Sequence, residues 1–365
     1  MANIQHTQYM QLAIRLAKKG LYTTDPNPRV GCIIVKDGVL IGQGWHQRYG
    51  QAHAEILALQ EAGDDAKGAC AYVTLEPCHH VGKTPPCTKA LIAAGIKDVV
   101  VAMQDPNPLV AGKGLAALKA AGLNVTSGIL EDQANALNPG FIKRMETGLP
   151  YVRLKLAMSL DGRTAMASGE SQWITGEAAR TDVQKLRARA SAVLTGINTV
   201  LHDDPSLNVR LTAEALGIEG EVNQPLRVVL DSRSQFPENA KMLRCDGETL
   251  VYVAEEVKNI SNCRFIKTET SPDGIDLKNM LLDLAGREVN EVHVEAGSVL
   301  CGSLLKEKLV DEIVIYMAPM IMGSDAKGLF SLPEITEMKD KINLSINDIR
   351  KVGNDMRITI SPVYD

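Results

Sequence analysis

The chain has 365 residues, 45% apolar, 23% charged and 4% aromatic, with 39 basic against 44 acidic side chains and a formal charge of −5. At about 100–200 residues per domain this length argues for two domains, and the composition excludes a disordered tail, a coiled coil and a collagen-like rod. Few aromatics and no basic excess in either half argue against a nucleic-acid partner, so small-molecule substrates are expected.

The N-terminus places Tyr9, Leu12, Ala13, Leu16 and Ala17 at helical spacing, unlike the apolar block of a signal peptide. Two apolar runs follow, Arg29–Val35 and Val39–Gly44, joined by Lys36-Asp37-Gly38, a hairpin signal. A helix is expected over His53–Ala62 with Gly63 as its C-terminal cap, then a strand at Ala71–Leu75 and a loop rich in Gly, Pro and Cys. Beyond it come a helix over Cys87–Ala94, a strand at Asp98–Met103, a helix over Gly114–Ala121 and a strand at Leu123–Ser127. Such alternation predicts an α/β domain with helices on both faces of a sheet. The break at Glu146-Thr147-Gly148-Leu149-Pro150 marks the boundary between domains 1–147 and 148–365.

The second series has strands at Tyr151–Ala157, Ala192–Gly196, Arg227–Asp231, Thr249–Val253, Glu291–Glu295, Glu312–Met317 and Arg357–Ile360. Helices are expected over Glu177–Arg189, Leu277–Ala285 and Val299–Lys308, and Thr212–Gln224 reads as a surface insertion. No run of 18 uninterrupted apolar residues occurs, so no membrane partner is expected. Seven cysteines, an odd number, fit reduced thiols in a cytoplasmic protein better than a disulfide framework.

His53-Ala54-Glu55, Pro77-Cys78 and Cys87 carry the sharpest chemistry. One imidazole and two thiolates near helix starts make a three-ligand zinc set with an open fourth position, as catalytic zinc requires. Helix N-termini favour the thiolate form. Residues i and i+2 diverge on a helix, so Glu55 can share the site with His53 only from the first turn. A carboxylate there is a proton shuttle, as in the nucleobase deaminases. His46, after the second strand, is expected near this loop, whereas His79 and His80 have no settled role. Two further motifs fail. Gly112-Lys113-Gly114-Leu115-Ala116-Ala117 matches a dinucleotide fingerprint but does not directly follow its strand, and Gly82-Lys83-Thr84 has Pro77 where a P-loop begins with Gly.

The run Thr74-Leu75-Glu76-Pro77-Cys78-His79-His80-Val81-Gly82-Lys83-Thr84-Pro85-Pro86-Cys87 resembles the zinc loop of the bifunctional riboflavin-biosynthesis deaminase–reductases, the RibD family. Asp105-Pro106-Asn107-Pro108 and Leu137-Asn138-Pro139-Gly140-Phe141 are similar to it as well, and the likeness covers nearly the whole chain. It implies a cytidine-deaminase-like three-layer domain followed by a dihydrofolate-reductase-like domain. The implied reactions are zinc-dependent hydrolytic deamination of a diaminopyrimidinone carrying a ribosylamino 5′-phosphate, then NADPH-dependent reduction of the ribosyl group to ribityl.

By this resemblance one Zn2+ per chain is held by His53, Cys78 and Cys87, Glu55 is catalytic, and Asn27, His46 and Lys83 lie near the pyrimidine. In the reductase half Ala157, Trp173, Thr199 and Asp203 match positions around NADPH, as does the turn Gly297, Ser298, Val299, Leu300, Cys301, Gly302, Ser303. Lys155, Ser171, Arg187, Leu207, Arg210 and Glu295 match positions around the substrate. Arg187 and Arg210 suit a phosphate, being planar and permanently charged. Departures are His79 for the family's usual Ser, Asn198 for a frequent Gly and Ala296 for a second Gly.

A homo-oligomer, dimer or tetramer, is also expected. Two other readings stay open: a zinc nucleobase deaminase whose C-terminal domain binds nucleotide without reducing, and a non-catalytic zinc-stabilised binding protein. Glu55 argues against the last, because a purely structural site has no use for an uncoordinated carboxylate.

Overall fold

Cys32, Ile33, Ile34 and Val35 are consecutive and all buried. Successive strand side chains point to opposite faces, so their strand, β1 (Gly31–Lys36), must be covered on both sides. The computed structural model describes residues 2–79, 86–108, 110–271 and 274–364 and divides into two units, Met1–Gly148 and Leu149–Asp365.

In the first unit the elements run α1 (Ala2–Ala17), β1, β2 (Val39–Trp45), α2 (Ala54–Ala62), β3 (Cys70–Val73), α3 (Cys87–Ala93), β4 (Asp98–Val101), α4 (Lys113–Ala120), β5 (Asn124–Ser127), α5 (Glu131–Asn135) and α6 (Pro139–Thr147). The sheet order is β2-β1-β3-β4-β5. β1 is antiparallel to both neighbours, and β3, β4 and β5 are parallel. Asp37 and Gly38 both take positive φ in the expected hairpin. On one face α1 packs Met10, Ala13 and Ile14 against Ile33, Tyr72 and Val100. On the other, Ala58 of α2, Leu91 of α3 and Leu118 of α4 meet Ile34, Val73 and Val99. These are the three layers, and full burial of Ile33 and of Ile34 contributes about 1.5–3 kcal/mol each. Helices α5 and α6 were not anticipated, although Pro139 is a favourable first residue for α6.

The second unit runs β6 (Tyr151–Ser159), β7 (Arg163–Ala165), α7 (Glu177–Arg189), β8 (Ala192–Gly196), α8 (Ile197–Asp203), α9 (Ala213–Leu216), β9 (Leu226–Asp231), β10 (Thr249–Val253), β11 (Cys263–Lys267), the short pair β12 (Thr270–Ser271) and β13 (Gly274–Ile275), α10 (Leu277–Gly286), β14 (Glu291–Val294), α11 (Ser298–Lys306), β15 (Glu312–Ala318), β16 (Lys327–Gly328), β17 (Asn343–Val352) and β18 (Asp355–Val363). Nine strands form one sheet, β11-β10-β9-β8-β14-β6-β15-β18-β17. It is parallel from β11 to β15, and β18 and β17 add on antiparallel. Helices α10 and α11 bury Met280, Leu281, Leu284, Leu304 and Leu305 against one face.

The opposite face is apolar at its flanks and charged at its centre. Phe236 and Met242 cover β8, β9 and β10 there, and α7 covers Val314 and Tyr316. Between them Arg153 donates to Glu291 and Glu312, each at 3.0 Å, and Arg189 reaches Glu291 at 3.2 Å. Arg153 and Glu291 are nearly inaccessible, so removing either would strand a buried charge, a loss of about 3–5 kcal/mol. Among the described residues no helix is long and apolar enough to cross a membrane.

Candidate active sites

The N-terminal site is assembled at helix starts. His53 is the N-cap of α2, with extended backbone (φ −75°, ψ 162°), and Cys87 is the first residue of α3. Because His53 stands outside the helix, the divergence of i and i+2 positions does not arise, and Glu55 occupies the first turn. His53 Nδ1 lies 3.2 Å from Cys87 Sγ and 3.6 Å from Cys78 Sγ, and the three donor atoms fall within 4.8 Å of one another. Tetrahedral zinc, with bonds of about 2.0 Å to nitrogen and about 2.3 Å to sulfur, separates such donors by about 3.5 Å. The residues fit the ion.

A hydrogen bond with Cys87 lowers the Cys78 thiol below its ordinary range, and the same bond together with burial raises Cys87. His53 is raised, chiefly by its bond to Cys78. Glu55 is buried, and burial raises its carboxyl above the usual range against the pull of His53.

Asn27 and His46 gather at this site. The carbonyl oxygen of Ala52 can only accept, so His46 carries its proton on Nδ1 and donates to it at 3.1 Å. Its Nε2 is then free to accept from Asn27 Nδ2 at 3.0 Å. Burial lowers its pKa and favours the neutral ring, which stands edge-on to His53 with centroids 5.6 Å apart. His79 pairs with Thr88 at 3.3 Å. Lys83 and His80 lie outside the described residues.

Sequence reasoning passed over Glu76. Its buried carboxylate accepts four backbone N–H bonds: Oε2 from Asp105 at 3.1 Å and Gly112 at 2.9 Å, Oε1 from Gly114 at 2.8 Å and Leu115 at 3.1 Å. Bonds to an ionised acceptor contribute about 1.5–3 kcal/mol each. The glycine-rich motif rejected as a dinucleotide fingerprint is therefore an anion-binding turn, and its anion is this chain's own side chain. The motif is a detectable signal. Its occupant is not, being 36–39 residues away.

The second unit carries an open cleft of ≈ 1330 Å³. Small-ligand sites usually measure about 300–1,000 Å³, so this one has room for a cofactor and a substrate together. Lys155, Ser171, Arg187, Leu207, Arg210 and Glu295 all line it. So do Ala157, Trp173, Thr199 and Asp203, the last two carried on α8, which the sequence reading missed. At the start of α11, Gly297, Ser298, Val299, Leu300 and Ser303 line the cavity. Cys301 turns into the core, and Gly302 lies against the Ser331 carbonyl, so neither reaches it.

Arg187 does not face the cavity as an unengaged phosphate partner. Its Nε and Nη2 donate to the two carboxylate oxygens of Glu295, and Nη1 donates to Asn208 O at 3.0 Å. Burial works to raise Glu295, but the Arg187 charge and the close approach of His293 at 3.4 Å outweigh it and hold the carboxyl well below the usual range. Burial and then the neighbouring Arg187 lower Lys155, with Glu295 opposing. Arg210 is exposed, and among the described residues no hydrogen bond or ion pair engages its guanidinium.

Comparison with known proteins gives the class. Residues 3–103 match the cytidine and deoxycytidylate deaminase zinc-binding region, and residues 150–358 match the RibD C-terminal domain. The class is a zinc-binding deaminase joined in one chain to a reductase. The riboflavin biosynthesis protein RibD of Haemophilus influenzae is 48% identical over 364 residues, covering 98% of each chain. That of Escherichia coli is 48% identical over 360 residues, 97% of this chain and 98% of the other. A structure of Acinetobacter baumannii RibD superposes with TM-score 0.91 at 46% identity over the whole of both chains. One from Thermotoga maritima, described as a diaminohydroxyphosphoribosylaminopyrimidine deaminase/5-amino-6-(5-phosphoribosylamino)uracil reductase, superposes at 0.89 with 32% identity, again over both whole chains. The chain belongs to the RibD family.

Proposed function

We infer that the chain is a bifunctional enzyme of riboflavin biosynthesis. It deaminates 2,5-diamino-6-ribosylamino-4(3H)-pyrimidinone 5′-phosphate, then reduces the ribosyl side chain to ribityl. The observation that carries this reading is the coexistence of a His/Cys/Cys donor set beside buried Glu55 with a separate cleft in the second unit lined by Lys155, Arg210, Glu295 and the start of α11. A non-reducing C-terminal domain is not favoured, because the relatives named above align through both halves.

In the first step His53, Cys78 and Cys87 would hold one zinc per chain, which would supply an activated water at neutral pH. Glu55 takes up the proton and hands it to the leaving amine. Asn27 and the neutral His46 orient the pyrimidine edge, and Lys83 pairs with its phosphate. In the second step Ala157, Trp173, Thr199 and Asp203 would hold NADPH, which would supply the hydride. The N-terminus of α11, which lines the same cavity, would favour a phosphate of that cofactor. Glu295 and Lys155 face the ribosyl group, and Arg210 takes the phosphate.

Mass spectrometry of the product with and without NADPH tests the sequence of steps. Amino-to-oxo exchange without NADPH and ribityl formation with it is the expected pattern, and deamination alone under both conditions would refute the second step. Arg210→Ala is expected to lower reductase kcat/KM about 10–100-fold, the loss of one charge-assisted phosphate contact, and to leave deamination unchanged. Equal damage to both steps would overturn the two-site assignment.

The reading places the enzyme in the cytoplasm, in keeping with seven free thiols. It also takes the protein to be a homo-oligomer. Leu344, Ile346 and Ile349 lie on one face of edge strand β17 and are exposed by 48%, 63% and 52%. An exposed apolar edge is a template for pairing with a second copy. Ile346→Lys with Ile349→Lys should convert the oligomer to monomer in light scattering, whereas a monomeric wild type would refute the assignment.

A further inference from the structure

Of the three candidate zinc ligands, two stand on helix starts, and the third, Cys78, stands in a loop between β3 and α3. A thiolate on a loop needs anchors from outside its own segment to hold its place. Downstream, its carbonyl accepts from Thr88 N at 3.2 Å and Thr88 Oγ1 at 3.3 Å, which ties it to α3. Upstream, the only intervening residue is Pro77, whose φ is fixed by its ring, and then comes Glu76 with its four amide donors.

We propose that Glu76 is a positioning residue for the zinc ligand Cys78, its carboxylate clamped by the amides of Asp105, Gly112, Gly114 and Leu115. The clamp joins the metal loop to the strand-to-helix turn before α4. Few soft dihedrals separate the clamped carboxylate from the sulfur, so displacement of one becomes displacement of the other. The packing is close on the same side. A Cβ at Gly114 would fall 2.1 Å from Pro77 O and 3.0 Å from Glu76 Oε1. Gly112, in the left-handed region at φ +78°, donates its amide to the carboxylate at 2.9 Å. Partners that orient metal ligands typically change metal affinity by about 10–100-fold when removed. The proposal rests on the reading that His53, Cys78 and Cys87 hold zinc.

The test uses the full chain loaded with zinc, then with cobalt. Glu76→Gln keeps the shape but turns an amino group toward amides that need an acceptor. Zinc release to a chelator should be at least about 10-fold faster than in wild type, and the thiolate-to-cobalt absorption should weaken or shift. Reductase activity on pre-deaminated substrate reports an intact C-terminal unit, and thermal melting of the zinc-free protein reports folding of the N-terminal one. A merely structural role would lower that melt and leave metal release and the cobalt spectrum of the folded protein alone. Should Glu76→Gln not fold, Gly112→Ala decides, since its Cβ meets only the Gln104 side chain at 3.5 Å and yet strains the same turn. Folded variants with wild-type zinc release and cobalt spectrum would overturn the proposal. A wild type that takes up no zinc would overturn the metal reading itself, and the clamp with it.

Discussion

Glu55→Gln lowers deamination by about 10²–10⁴ while zinc content stays at the wild-type level. Glutamine fills the same buried space in the first turn of α2 and keeps a neutral hydrogen-bonding end, but it cannot accept a proton and pass it on. His53, Cys78 and Cys87 do not rely on Glu55 to converge, since the donors belong to an N-cap, a loop and a helix start. Zinc content by atomic absorption and product by mass spectrometry separate the outcomes. Lost activity with retained zinc makes Glu55 the proton carrier, whereas lost zinc would make it a structural support. Reduction of pre-deaminated substrate should be unaffected.

Arg187→Met destabilises the C-terminal unit by about 3–5 kcal/mol and removes most of its reductase activity. The magnitude follows from removing the bidentate guanidinium from a largely buried carboxylate, which is left with the His293 ring at 3.4 Å beside it. The sign with pH can be worked out. In the wild type Glu295 is held below the ordinary glutamate value of about 4.3. Its stabilising contribution is therefore complete above that value and is lost as pH falls through the lower folded pKa. Without Arg187 the largest opposing charge is gone, and burial raises the carboxyl relative to wild type. The stability gap between wild type and variant then closes in acid and widens as pH rises, until it passes the raised folded value of the variant. Urea melts across pH measure this gap, and the acid limb of the reductase profile should move upward in the variant. A gap independent of pH would show that Arg187 acts by packing alone.

These two residues also show what the sequence makes visible. Glu55 could be read because zinc chemistry admits few residue types and His-x-Glu at a helix start is a local pattern. Arg187 could be read only as a cation on an amphipathic helix, and phosphate was the natural guess. Its partner Glu295 is 108 residues away, a distance no local pattern spans. Glu76 was invisible for the same reason. The five-stranded sheet was legible because β1, β3 and β4 are nearly continuous apolar runs, as burial on both faces demands, and the nine-stranded one because its central β6 and β14 alternate apolar residues with charged or polar ones. Helix α8 was not, since Ile-Asn-Thr-Val looks like a loop or strand by its β-branched residues. Strand β17 escaped because a bulge between Ile346 and Asp348 breaks its alternation.

The order of the nine-stranded sheet has a consequence for synthesis. β6 is the first strand of its unit to leave the ribosome, yet its two neighbours, β14 and β15, begin only at Glu291 and Glu312. At about 5–20 residues per second the strand Tyr151–Ser159, with Val152, Leu154 and Leu156 destined for the core, waits several seconds or longer with both edges unpaired. The first unit has no such delay, since all five of its strands lie within Gly31–Ser127. A nascent chain arrested before Glu291 would therefore carry a finished deaminase domain tethered to an aggregation-prone strand. Chaperone dependence during expression should follow the second half of the gene.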